Sequence, residues 1–277
     1  MRFDNRLLLL LLLPGALLAL LLAGIARLTG ASLVSEGSLG LHNYALFFAR
    51  ADYVLMLGRT MGVAALTTLI SLALAYPVAY FISRYHGRRD LLLFLVIVPW
   101  LVSLVVRTYG WIVLLGNRGV INGTLLWLGI TNEPVHLMFN TFGVLVGMVH
   151  VFCPFMILAI LGSFLHLDKS IEEAAMSLGA GPFTTFRRVV LPLTIPGVMS
   201  GTILVYLMAT GAVVTPLMLG GVRDALLGTQ IYHEVIDVFD LAKAATIAVV
   251  LMVAALVVVL PMLLIERHVG RNLKMQR

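Results

Sequence analysis

The sequence predicts an all-α, polytopic membrane protein with six transmembrane helices, and three observations carry that prediction. Hydrophobic residues make up 61% of the 277 and charged residues only 12%, about half the charged share of a soluble domain. Mean hydropathy is +1.04. Apolar runs of about 20 residues, long enough to cross a bilayer, recur along the whole length, and the polar stretches between them are too short to bury a core of their own.

The first span is expected from Leu7 to Ala26, after Arg2 and Arg6. A basic start and a Leu/Ala centre resemble a signal peptide, but the apolar run is too long and no small-x-small cleavage site follows, so a retained signal anchor is expected. The other spans are expected over 54–83, 91–115, 140–165, 196–220 and 241–265. This gives an N-terminal helix with an outer loop (1–53), a five-helix core (54–268) and a short tail (269–277). Pro77, Pro99, Pro154 and Pro216 are expected to interrupt spans. Gly58/Gly62, Gly143/Gly147 and Gly197/Gly201 have the four-residue spacing that lets helices approach closely in lipid.

Basic residues set the orientation. With the N-terminus inside, twelve of the nineteen Lys and Arg fall on the cytoplasmic side. They cluster at Arg84, Arg88 and Arg89, at Arg187 and Arg188, and after Glu266. Both termini are therefore expected in the cytoplasm. The net charge of +6 follows from this flanking pattern, and no basic run with interleaved aromatics points to nucleic acid. The one cysteine, Cys153, lies in an apolar span and can form neither an intrachain disulfide nor a metal site; no cluster of metal ligands is found. The three lysines, Lys169, Lys243 and Lys274, none preceded by glycine, rule out a phosphate-cradling GxxxxGK[ST] loop. No catalytic residue is identified, and no cofactor is expected in this chain.

The segment Leu167–Pro196 is the most informative. Ser170 is expected to cap a helix, with Glu173 completing a capping box and Ile171–Leu178 forming a short amphipathic helix. Gly179 and Gly181 end it. Pro182 opens a second helix carrying Phe183, Phe186, Arg187 and Arg188, and Pro192 and Pro196 are expected to stop that helix and begin the next span. Small side chains at Ala174, Ala175 and Ser177 allow close approach, and Glu172 and Glu173 offer charge to a basic partner. The segment reads equally as a docking knob or as an interfacial connector between spans.

In this stretch Glu173, Ala174, Ala175, Gly179, Leu191 and Pro192 stand in order and spacing like the Glu-Ala-Ala loop of ABC importer permeases of the type I fold, and the resemblance extends from about Arg59 to Ile265. It implies that the loop at 168–190, including Ser170, Glu172, Pro182, Arg187 and Pro192, is the coupling helix that sits in a groove of a separate ATP-binding subunit. It also implies two ATPase subunits that hold ATP-Mg, a second and different permease chain, a periplasmic solute-binding protein and an inner-membrane location. Within the family, Leu104–Gly129, Val214–Gly221 and Gly228–Tyr232 are similar to spermidine/putrescine permeases, a group that also includes permeases for opines and aminophosphonates.

Cargo-path candidates are Tyr76, Tyr80, Tyr109, Trp111 and Tyr206 as aromatic faces, Arg107 as an intramembrane charge, and Asp237 and Asp240 in the outer loop. No Asp or Glu falls inside the second to sixth spans, where a polycation would be expected to meet carboxylates. Arg107 also reads as a snorkelling interfacial residue, and His150 as a hydrogen-bonded bundle histidine. The outer stretch Ala225–Asp240 is expected to be an interfacial helix with Leu226, Leu227, Ile231 and Val235 facing lipid or protein. A secondary transporter driven by an ion gradient is the rival reading; it would be expected to carry membrane carboxylates and an internal repeat, and neither is seen.

Overall fold

The computed structural model describes residues 5–35 and 38–274; Arg2 and 275–277 lie outside the described residues. The elements are α1 (Asn5–Ser32), a two-residue antiparallel pair β1 (Val34–Ser35) and β2 (Ser38–Leu39), α2 (His42–Ala49), α3 (Ala51–Arg84) and α4 (Arg89–Leu101). Then come α5 (Leu104–Leu115), α6 (Val120–Trp127), α7 (Thr141–Leu165), α8 (Lys169–Ser177), α9 (Pro182–Thr185), a π-helical turn (Phe186–Val190) and α10 (Leu191–Thr210). The chain ends with α11 (Val214–Leu219), α12 (Leu227–His233), a second π-helical turn (Glu234–Val238) and α13 (Leu241–Lys274). The fold is all-α. Five described helices are long and apolar enough to cross a membrane, or six if the bent α4–α6 segment counts as one.

The chain divides into two compact units, Met1–Leu55 with Gln230–Val253 and Met56–Thr229 with Ala254–Arg277. In the larger unit, α7 is the axis: Met148, Met156 and Ile160 on it have no exposed surface. α10 packs along α7, and Gly197 makes that possible, because a Cβ there would lie 2.9 Å from the Ala159 carbonyl oxygen. α4 and α5 lean on α7 as well, and α11 lies against α5. The smaller unit is tied by Thr246, whose hydroxyl donates to the Ser32 carbonyl (3.2 Å), and by the 2.6 Å Ser32–Tyr44 hydroxyl contact. Gln230–Val253, read from sequence as part of the core, groups here with the N-terminal segment.

Several sequence expectations need correction. The span at 91–115 is not one straight helix: α4 and the segment after it are bent by 90° where Val102 and Ser103 are extended (ψ 139° and 135°). α4 alone is 13 residues, about 20 Å, short of the roughly 30 Å hydrocarbon core. The fifth span stops at Thr210, and α11 is separate. α13 is helical to Lys274, well past 265. Pro77 and Pro154 lie inside helices that continue through them. In the outer stretch Leu226 and Leu227 are fully buried, so they face protein.

Candidate functional site

The loop at 168–190 presents a closed, rigid helix, though it is capped differently from the sequence expectation. Asp168, not Ser170, is the N-cap: its Oδ1 accepts from the Ser170 amide at 2.9 Å, and the helix begins at Lys169. Those hydrogen bonds from the Ser170 amide and hydroxyl hold the Asp168 carboxyl below its ordinary value. At the other end Gly179 has φ +88°, a left-handed conformation costly for residues with a Cβ. Its amide donates to Met176 O and that of Ala180 to Ala175 O, which closes the helix as a Schellman motif.

The outward surface exposes two large apolar side chains among charged and small ones. Leu178 is 90% exposed and Phe183 74%; Glu173, Ala174, Pro182, Arg187 and Arg188 are also exposed. Glu172, expected to offer its charge outward, instead pairs with Arg84 at the end of α3. The Arg84 guanidinium lies 5.5 Å from the Tyr80 ring centroid. Tyr76 and Tyr80 both meet Phe164 of α7 and Phe186 of the π turn edge-on, with centroids 5.5 to 5.9 Å apart. The Tyr76 and Thr194 hydroxyls are 2.9 Å apart.

Pro192 and Pro196 do not stop the chain; the helical run from Pro182 to Thr210 is unbroken. The π turn explains how. A proline ring clashes with the carbonyl four residues back and donates no hydrogen bond. Just before Pro192 the ladder widens, the Leu191 amide donating to Phe186 O five residues earlier, so the proline sits where the tighter spacing has already been given up.

The proposed path residues lie apart. Tyr76 and Tyr80 sit behind the loop at 168–190, against Phe186. The Trp111 indole donates to His150 Nδ1 at 3.1 Å, and both line a mostly apolar cavity of about 620 Å³ with Leu95, Pro99 and Phe142. Arg107, one helical turn before Trp111, has its Nε and Nη1 buried with no partner among the described residues. Tyr109 is 61% exposed. The Tyr206 hydroxyl, in the core, donates to Met61 Sδ at 3.1 Å. In the smaller unit Asp240 caps α13 by accepting from the Lys243 amide, and exposed Asp237 pairs with His233.

That unit also holds a cluster the sequence did not reveal. Buried Glu234 receives Tyr53 (3.2 Å), Gln230 (2.8 Å) and Lys243 (2.6 Å) on one carboxylate oxygen. Burial pushes this carboxyl up, but hydrogen bonds from Lys243, Gln230 and Tyr53 and the lysine charge outweigh it, leaving the carboxyl below its ordinary value. Arg84 was legible only as a cytoplasmic charge, and its pairing with a residue 88 positions away has no local signal.

Comparison with known proteins agrees with this arrangement. Residues 71–274 match the binding-protein-dependent transport system inner membrane component family, and the chain belongs to it: it is a multi-pass inner-membrane permease of an ABC importer. It is 36% identical to the spermidine/putrescine transport system permease protein PotB of Escherichia coli (strain K12), over 72% of this chain and 73% of that one. It is 30% identical to the inner membrane ABC transporter permease protein YdcU of the same organism, over 87% and 81%. In fold it is similar to a chain of a bacterial ABC transporter involved in import of the acidic polysaccharide alginate, with a TM-score of 0.79, 17% identity, and coverage of 95% and 96%.

Proposed function

We propose that this chain forms part of the solute path of an ATP-driven importer and docks a separate ATPase through the loop at 168–190. The observation that carries the docking is the capped helix α8 with Leu178 and Phe183 exposed beside it, apolar surface that favours a protein partner over water. The full assembly comprises two ATPase subunits holding ATP-Mg, a second, different permease chain and a periplasmic binding protein. This chain binds no cofactor. Both termini face the cytoplasm, on the side of the Arg84–Arg89 turn and the docking loop.

Nucleotide-driven closure of the ATPase pair moves the loop and switches the bundle between inward- and outward-facing states. A polyamine is the favoured solute, because the PotB relatives carry spermidine and putrescine in their names and Tyr109 and Trp111 offer aromatic faces to a cation. Arg107 favours a second reading, a solute with a carboxylate or phosphonate such as an opine or aminophosphonate, since its buried Nε and Nη1 lack a partner among the described residues. The test is uptake of labelled spermidine by proteoliposomes holding the transporter and its binding protein. ATP-dependent uptake resisting excess acidic competitor supports the polyamine reading, and loss to that competitor supports the anionic one. Uptake driven by an ion gradient without ATP would overturn the importer assignment.

A further inference from the structure

The docking loop has three attachments to the membrane bundle: the chain joins it to α7 at one end and to α10 at the other, and side chains fasten it to α3. Through α9 the loop runs into α10 by way of the π turn Phe186–Val190, a wide turn of a kind frequent at functional sites. Through space it is fastened to α3. Arg84 and Glu172 form an ion pair whose side chains are only 25% and 13% exposed, so it is screened less by salt than a surface pair. Behind the pair, Tyr76 and Tyr80 of α3 grip Phe186 and Phe164 edge-on. The end of α3 is itself held firm, because Arg89 donates to the Ile82 and Ser83 carbonyls at 3.2 and 2.9 Å, satisfying acceptors a helix end leaves open.

From this geometry we infer that α3 is a further lever of the transporter: Arg84 is a positioning residue that passes movement of the docked loop to α3 through Glu172, in parallel with the covalent routes into α7 and α10. A movement of α8 pulls directly on the last turn of α3 through the ion pair, whereas the route into α10 passes through α9 and the π turn. Neither Arg84 nor Tyr80 lies on the exposed apolar face offered to the ATPase, so their contribution is separable from docking. The inference rests on the docking reading above.

The test is hydrogen exchange on the full transporter purified from its membranes, with and without a non-hydrolysable ATP analogue. In wild type the analogue is expected to shift exchange both at 76–84 and in the first turns of α10. In Arg84→Glu the ATPase is expected to stay bound and α10 to keep its response, while the response at 76–84 is lost. The charge swap Arg84→Glu with Glu172→Arg is expected to bring it back. An unchanged response at 76–84 in Arg84→Glu, or no recovery in the swap, overturns the lever. Loss of the ATPase from Arg84→Glu alone would make the pair part of docking and likewise overturn it. A wild-type chain that retains no ATPase overturns the docking reading, and the lever with it.

Discussion

Glu234 shows how much a single side chain can set in a chain this apolar. Its carboxylate is buried, and three donors converge on one oxygen while the other has no partner among the described residues. Because the folded carboxyl titrates below its ordinary value, its stabilisation is fully present above the ordinary carboxylate range and is lost as pH falls through the lowered value. Glu234→Gln is expected to cost about 1–3 kcal/mol at neutral pH, the range for leaving a buried polar partner unmatched; the modest figure reflects a Lys243 side chain already 36% exposed. It should also flatten the acid side of the stability profile, read by thermal melting in detergent from neutral pH into the acid range. A variant with the wild-type profile would show that the cluster does not anchor this unit. Residues of this kind were not legible in the sequence: Tyr53, Glu234 and Lys243 share no spacing rule. Gly179 was, because a glycine after an amphipathic run is the ordinary signal of a helix end.

At the scale of elements, hydropathy located the spans but not their breaks. Residues 91–115 read as one long apolar segment holding Pro99, Ser103, Arg107 and Thr108, and the 90° bend between α4 and α5 falls just past Pro99, at Val102 and Ser103; hydropathy summed over the span does not register it. Proline was an uneven guide: the helix that holds Pro99 ends at Leu101, where the chain bends, but others run on. Pro154 sits within the most buried span and Pro192 just past a π turn, and neither ends a helix. Backbone that leaves helical geometry at membrane depth is tolerated only where protein buries it or water reaches it, and Ser103 is exposed. In a Cys153→Ser background, Ser103→Cys is therefore expected to react with a hydrophilic thiol reagent, while Leu69→Cys, on the exposed apolar face of α3, stays unlabelled. Equal protection of both would place the bend in lipid-like surroundings and contradict a watered break.

For the whole molecule, the class of protein was legible because two independent signals agreed: six apolar spans, and a fixed-gap motif from Glu173 to Pro192 in the loop between two of them. The cargo path was not, because aromatic and charged residues chosen by type alone fall in different places once the chain folds. Tyr76 and Tyr80 pack against Phe186 of the loop at 168–190, Tyr206 lies in the core, and Trp111 lines a cavity with His150. The central claim is that a permease with no nucleotide site of its own takes its energy through one exposed knob. It is tested most directly by affinity purification in mild detergent with mass spectrometry of what remains bound, comparing wild type with Leu178→Asp. Leu178 is 90% exposed, so the change leaves the fold intact. The account predicts an ATPase subunit on the wild-type chain and its loss from the variant. A well-folded wild-type chain with no ATPase, or a variant that keeps it undiminished, would contradict the account.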